Sequence, residues 1–414
     1  AEANVNLQLY RLTNTDITLL EDELKDLNLK IETYNKILTE EEALKYIMKK
    51  ELKAIKDEYD VPRKTVIEDH LEEIKINEED MITKEDVVVL ITKDGYVKRT
   101  SKRSYNSSND EPLLKENDYV LGLYELNTID TVLIFTNLGN YLYLPVHEIP
   151  DIKWKVLGKH ISNIIKLEEN EKIVSIIPVI DFNINKEVVI ASKLGMIKKT
   201  PLKEFKVSRY SKAISCMKLK DNDELINADI SKKEVLFVTN NGLALRFNTN
   251  EIPVVGSKAS GVKGINLKDD YCIYASPINK EEYLNIYTNY KTIKRLKLSD
   301  ITPISRAKKG NMLFKKAKTK DYKILFAYLT ETKDVNLYKI DTDIHELKNS
   351  DIPIMDIAST GSQVKFNYDL FALKKELVDL TKTTTEEPKE VEEIKSTKKE
   401  EQLSFDAFID DFKI

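Results

Sequence analysis

Residues 191–200 read ASKLGMIKKT: the end of an apolar strand, a turn at Gly195, and a second strand carrying Lys198 and Lys199. Alone it is a β-hairpin, because glycine accepts the positive φ that a tight turn demands. What decides the fold is that the hairpin returns. ITKDGYVKRT stands at 91–100, FTNLGNYLYL at 135–144, VTNNGLALRF at 238–247 and YTNYKTIKRL at 287–296. Each unit opens on an apolar or β-branched run: Val87–Ile91, Val132–Phe135, Val188–Ile190, Val235–Val238, Leu284–Tyr287 and Val335–Leu337. The turn position holds Gly95, Gly139, Gly195 and Gly242, then Lys291 and Asp341, so the last two units must use another turn or bear strain. Nine residues further on, ten in the last unit, come Ser104, Glu148, Glu204, Glu251, Asp300 and Asp351, each followed by an apolar or aromatic residue.

Successive turns lie 44, 56, 47, 49 and 50 residues apart. Six copies of several short strands predict a mainly β fold of six radially arranged blades over 87–372, since one such sheet cannot bury its apolar face alone. A row of independent β-domains is the rival, and the short linkers between units argue against it.

The formal net charge of the 414 residues is −5, but the charge is segregated. Residues 186–320 hold 28 Lys/Arg against 13 Asp/Glu, residues 1–86 hold 13 against 23, and residues 386–414 hold 5 against 10. A local net of +15 points the repeats toward a polyanion, whatever the whole-chain balance. A propeller that recruits proteins would show the same repeats without needing that charge. A self-contained enzyme needs converging acid, base or nucleophile, and no such cluster stands out.

Cys216 and Cys272 form no motif and are expected to pack as small apolar groups in a reducing setting. His70, His147, His160 and His345 lie at no metal-ligand spacing. No run reaches the ~20 apolar residues of a membrane span, and no signal peptide opens the chain. The missing initial Met suggests a fragment or a processed product.

Residues 1–61 read as helical. Ile17, Leu20, Leu24, Leu27, Ile31, Tyr34 and Leu38 alternate in steps of three and four, the seam of a coiled coil. Thr39–Glu42 has the spacing of a capping box for a second helix, which should stop before Val61-Pro62. An earlier short helix would present Leu7, Leu9 and Leu12. Residues 62–86, with the acids Glu78, Glu79 and Asp80, read as a linker. Residues 373–414 form an acidic tail, expected to be disordered where it is low in complexity, with Phe405, Phe408 and Phe412 spaced as on a short helix.

The hairpins GYVKRT and GMIKKT, the segment NEIPVVGSKASGVKGINL (250–267) and LQLYRLTN (7–14) resemble the C-terminal part of bacterial type IIA topoisomerase A subunits, with helices and repeats in that family's order. The resemblance implies a six-bladed β-pinwheel whose outer rim binds bent double-stranded DNA, preceded by the coiled-coil and dimer contact of the exit gate. It implies a cytoplasmic, nucleoid-associated A2B2 assembly with the topoisomerase IV B subunit and no membrane insertion. The active-site tyrosine would lie upstream, so no catalytic, cofactor or metal residue is expected here, and ATP and Mg2+ would act in the B subunit. Gyrase A subunits carry a Gln-Arg-Arg-Gly-Gly-Lys-Gly-like box in the first blade. Residues 101–118 read SKRSYNSSNDEPLLKEND instead, which favours the topoisomerase IV branch over gyrase.

On that reading, Lys98, Arg99, Lys198, Lys199, Arg246, Lys294 and Arg295, just past the turns, should form a positive arc. Lys102, Arg103, Arg209, Lys212, Lys258, Lys263, Arg306, Lys308 and Lys309 should widen it. The arc should be strongest over blades one, three, four and five, because blade two offers NYLYL and blade six DIHEL at those positions.

Overall fold

The structure, a computed structural model, describes residues 14–61, 64–65, 81–108, 111–315, 320–341, 343–365 and 369–381. The expectations for Leu7, Leu9 and Leu12, for the acids of 66–80, and for the tail from 382 lie outside them. The chain divides into two units, 1–75 and 76–414.

In the first unit, helix α1 spans Asn14–Thr39 and helix α2 spans Glu41–Tyr59. The seam residues Ile17, Leu20, Leu24, Leu27, Ile31, Tyr34 and Leu38 are all exposed in this chain. The capping box does not form. Glu40 is the N-cap of α2 and makes no side-chain cap, while the Thr39 hydroxyl donates backward to the Asn35 carbonyl at 2.8 Å. A helix turn that ends on Thr offers that nearer acceptor first. Helix α2 ends two residues before Val61, with Asp60 already extended, as the approach to a proline favours.

The second unit is a six-bladed β-pinwheel. The blades are built on hairpins Asp86–Thr92/Tyr96–Ser101, Thr131–Thr136/Asn140–Pro145, Glu187–Ser192/Met196–Pro201, Glu234–Thr239/Leu243–Asn248, Tyr283–Thr288/Thr292–Lys297 and Val335–Ile340/Asp343–Lys348. A third strand pairs with the first strand of each hairpin: Val120–Asn127, Ile173–Val179, Leu225–Ile230, Cys272–Ile278, Ile324–Thr330 and Phe371–Leu373. These third strands surround a central cavity of about 830 Å³ lined by Tyr124, Ser175, Ala228, Tyr274, Tyr328 and Ala372 among others.

The fourth strand of each blade is borrowed. Lys159–His160, which follows the hairpin of blade two, pairs with Tyr96 and Val97 of blade one. Ile214–Ser215, Val262–Lys263, Asn311–Met312 and Ser362–Gln363 do the same for blades two to five. Blade six stays three-stranded among the described residues. Strand pairing also runs past residue 372, where the repeats were expected to end. Val378–Asp379 lies parallel to Tyr124–Glu125 of blade one and joins the last blade to the first.

In blades one to five the apolar runs are buried on both faces, against neighbouring blades or, on one face of blade one, against Trp154 and Leu377. Val87, Val89 and Ile91 of blade one meet Val132, Ile134 and Leu142 of blade two, while Val88 and Leu90 cluster with Trp154. Leu133 and Phe135 meet Val188 and Ile190, and Val189 and Ala191 meet Val235 and Phe237. Cys216 and Cys272 sit in these clusters as free thiols, and burial pushes the Cys216 thiol up to about 12. The acids counted past each turn fall in short 3-10 corners in blades two to six, and the residues after them, Ile149, Phe205, Ile252, Ile301 and Ile352, are buried. The last two turns resolve as strain rather than a new turn: Lys291 and Asp341 hold φ of 55° and 53°, beside 76–93° for the four glycines.

Candidate nucleic-acid interface

In each of blades one to five the second hairpin strand and the borrowed fourth strand form the edge far from the central cavity. The loop leading to the fourth strand must cross that edge. It runs through 151–158 over blade one, 206–213 over two, 254–261 over three, 302–310 over four and 354–361 over five. In four of these loops a glycine precedes the fourth strand. A Cβ on Gly261 would stand 2.5 Å from the Ile197 carbonyl oxygen, and one on Gly310 would stand 2.3 Å from that of Ala244. Only glycine lets the loop lie this close to the strand beneath.

The first set of expected contacts is corrected by its burial. Lys98, Lys198 and Lys294 are at most 1 % exposed. The Lys98 Nζ donates to the carbonyls of Trp154 (2.5 Å) and Val156 (2.8 Å), and Lys198 to those of Gly256 (2.8 Å) and Ser257 (2.9 Å). Lys294 reaches four carbonyls, of Leu313, Asp356, Ile357 and Ser359, at 2.6–3.2 Å. Burial lowers all three ammoniums to about 8, and the loop carbonyls supply the acceptors that a desolvated ammonium needs. None of the three can meet a phosphate in this arrangement.

The next position along the strand is also engaged. Lys199 pairs with Glu187 at 2.8 Å, and Arg246 pairs with Glu234 at 2.6 Å while donating to the Leu298 carbonyl. Arg295 is buried over the ring of Tyr283. Arg99 is half-buried. Lys102 is half-buried and ion-paired to Glu125, and Arg306 is held by the carbonyls of Glu251 and Lys263.

The exposed cations are those of the helix after blade one's hairpin and of the crossing loops with the strands they lead to: Arg103, Arg209, Lys212, Lys258, Lys263, Lys308 and Lys309. Lys206, exposed in the loop over blade two, was missed by the sequence pattern, and so were Lys153, Lys155 and Lys159, all exposed over blade one. The last three flank the single tryptophan, Trp154, in the segment KWKVLGK, and their alignment with the Lys258 loop is the signal that identifies them. The positive edge therefore covers blades one to four. Blade two, where the arc was expected to be weaker than over blade five, carries Arg209 and Lys212, whereas the loop over blade five carries Asp356 and no Lys or Arg. Contacts of this kind would hold a duplex by its phosphates and read no bases.

Among the described residues there is no group of three His, Cys, Asp or Glu able to hold a metal, and no helix is long and apolar enough to cross a membrane.

The model of the DNA gyrase C-terminal domain, β-propeller, matches residues 86–109, 130–180, 186–232, 233–279 and 292–330. The DNA topoisomerase 4 A subunit of Bacillus subtilis (strain 168) is 41% identical over 367 residues, 87% of this chain and 46% of that protein. Its counterpart in Staphylococcus aureus (strain MRSA252) is 40% identical over 355 residues, 84% of this chain and 44% of that one. The chain thus spans about half the length of these relatives. A crystal structure of the C-terminal domain of DNA topoisomerase IV superposes with a TM-score of 0.65 at 40% identity, over 69% of this chain and 90% of that one. A DNA gyrase A C-terminal domain structure shares the fold, with a TM-score of 0.53 at 24% identity over 70% of this chain and 98% of that one. The pinwheel, its borrowed strands and these matches agree: the chain belongs to the DNA gyrase C-terminal domain β-propeller family of type IIA topoisomerase A subunits.

Proposed function

We propose that this chain is the C-terminal part of a topoisomerase IV-type A subunit and holds bent duplex DNA along the outer edge of blades one to four. The observation that carries the reading is the row of exposed cations in four consecutive crossing loops, each fixed at the same place on its blade. Bending a duplex by 40–90° over 20–30 base pairs costs on the order of 1–6 kcal/mol, so a single loop would not suffice and a row of them can. The bent segment would be presented for ATP-dependent double-strand passage, the chemistry behind decatenation and relaxation. In that assembly the exposed seam of α1 would meet a second copy of the A subunit, and the B subunit would bring ATP and Mg2+. Nothing in this chain's part of the cycle is covalent: it positions DNA, and by itself it neither cleaves nor religates.

The gyrase-type alternative differs by closing a full wrap. Where that family's box would stand, residues 101–108 form the short helix Lys102–Asn106, capped by Ser101 and tied by Lys102 to Glu125. The test is binding of random-sequence duplex by the folded chain across a salt series. Affinity should fall steeply with salt through counterion release. A propeller that recruits proteins would show no retention on heparin at moderate salt, and that result would remove the reading.

A further inference from the structure

The register position three residues past the turn alternates around the first five blades. It is Lys98 in blade one, Leu142 in two, Lys198 in three, Leu245 in four and Lys294 in five. All five side chains are buried, so the site is interior in each of these blades and a lysine there is not a surface choice. An isolated ammonium would be costly at such depth, and each is offset by carbonyls of the loop that crosses its own blade. The crossing segments of blades one and three carry the exposed cations Lys153, Lys155 and Lys159, and Lys258 and Lys263. Each loop thus bends around a buried charge with its own charges outward. The Lys98 Nζ also lies 5.0 Å from the Trp154 ring centroid, between two of those outward lysines in sequence.

We propose that Lys98 and Lys198 are positioning residues for phosphate recognition: each buried ammonium gathers its loop's carbonyls and thereby sets where the loop's exposed cations meet the duplex. The inference rests on the DNA-binding reading above. It adds that the contact geometry is specified from inside the blade. The carbonyls are the reason the residue is a lysine rather than leucine. A loop that turns its carbonyls inward at 256–257 needs a donor beneath it, and the backbone of the second hairpin strand is already committed, to its hairpin partner and, at Lys199, to Pro253 and Val255.

The experiment uses the full 414-residue chain. Lys198→Met nearly keeps the length and removes the charge. Lys258→Gln/Lys263→Gln removes the two outward cations directly. Counterion release assigns a slope of about 0.9 in log K against log salt to each neutralised phosphate, so the double variant should lose up to about 1.8. Lys198→Met should lose a similar amount, and the triple variant should lose no more than the double. Amide exchange at Val255 and Ala259, whose N–H groups close the loop, should accelerate in Lys198→Met without DNA present. Should Lys198→Met fail to fold, Lys98→Met with Trp154 emission as the loop reporter and Lys153→Gln/Lys155→Gln as the direct pair repeats the cycle in blade one. A folded Lys198→Met with the parent's slope, or a triple variant whose losses simply add, would overturn the proposal. A parent chain that does not bind DNA at all would instead overturn the function reading, while faster exchange in the loop would still report the brace.

Discussion

Arg295 lies with its guanidinium carbon 4.7 Å from the ring centroid of Tyr283, at the place where Lys199 faces Glu187 in blade three and Arg246 faces Glu234 in blade four. The acid–cation pair of two blades has become an aromatic–cation pair in the third. The exchange leaves the Arg295 Nε and Nη1 without a hydrogen bond among the described residues, a buried deficit that the ring face offsets only in part. Tyr283→Glu should restore the ion pair and leave stability unchanged or higher. Glu234→Ala removes the carboxylate from a largely buried arginine and should cost about 1–3 kcal/mol, read as a shift in urea midpoint. Equal losses from both variants would show that the two cations sit in equivalent settings after all.

Charge reversal at the edge separates the exposed cations from the buried ones. Lys258→Glu/Lys263→Glu/Lys308→Glu/Lys309→Glu should leave the melting temperature within a degree or two. It should weaken duplex binding strongly, with the salt slope reduced by about 3–4. Lys198→Glu or Lys294→Glu, by contrast, places a carboxylate against carbonyl oxygens with no donor, and should abolish folding of the blade rather than binding alone. Fluorescence anisotropy beside circular dichroism reads both. Full binding by the folded quadruple variant would take the duplex off this edge.

The buried lysines also set a pH dependence. Each holds its proton only up to about pH 8 in the folded chain, because burial disfavours the ammonium. The unfolded chain keeps the same protons to about pH 10.4. Below pH 8 both states are protonated and these groups contribute no slope. Between about 8 and 10.4 the unfolded state binds more protons, so their contribution to stability rises with pH. The urea midpoint of the parent, minus that of Lys98→Met/Lys198→Met/Lys294→Met, should climb over that window. Trp154 emission should titrate near pH 8 and lose that step in Lys98→Met. A difference that is flat in pH would mean that the carbonyls hold the ammoniums at their ordinary value.

The turns offer a backbone test. At φ of 55°, Lys291 bears a conformation that glycine adopts without strain, and Lys291→Gly should gain up to about 1 kcal/mol. Gly242→Ala goes the other way, since its Cβ would stand 2.4 Å from the Phe314 ring. Differential scanning calorimetry of the two variants should move in opposite directions.

Most of the fold was legible because its signal is local: a two-faced apolar run and a turn residue mark each hairpin, and six of them mark the ring. The borrowed strands were not, since two residues such as Lys159–His160 carry no periodicity. The same blindness put expected surface cations at buried positions. Lys98 and Arg99 stand where a polar face would be expected to meet solvent, yet a blade packed on both sides leaves no such face. Leu142 and Leu245, at the register of Lys98 and Lys198, held the missing clue, because a position that is leucine in two blades is interior in the lysine blades beside them. The loop cations were legible in composition, but their common placement depends on which strand each loop leads to.

How far the duplex is carried depends on where the positive edge stops. It ends at blade four. The loop over blade five has Asp356, and the edge strand Asp343–Lys348 of blade six exposes Asp343 and Glu346 against a single lysine, Lys348. At the other end, blade one supplies a capped helix in place of a glycine-rich box, and residues 374–381 close blade six onto blade one through Val378–Asp379. A duplex following the cations therefore bends through four blades and meets an acidic edge before completing a turn. Ligation of nicked circles with saturating protein should give little change in linking number, while circularisation of short linear fragments should be favoured by the bend. A large shift of one sign would mean that a full turn is trapped and would favour the gyrase-type reading. Exchanging Asp343 and Glu346 for lysine should extend the positive edge, and the linking-number shift should grow with it if charge, rather than the missing box, is what ends the path.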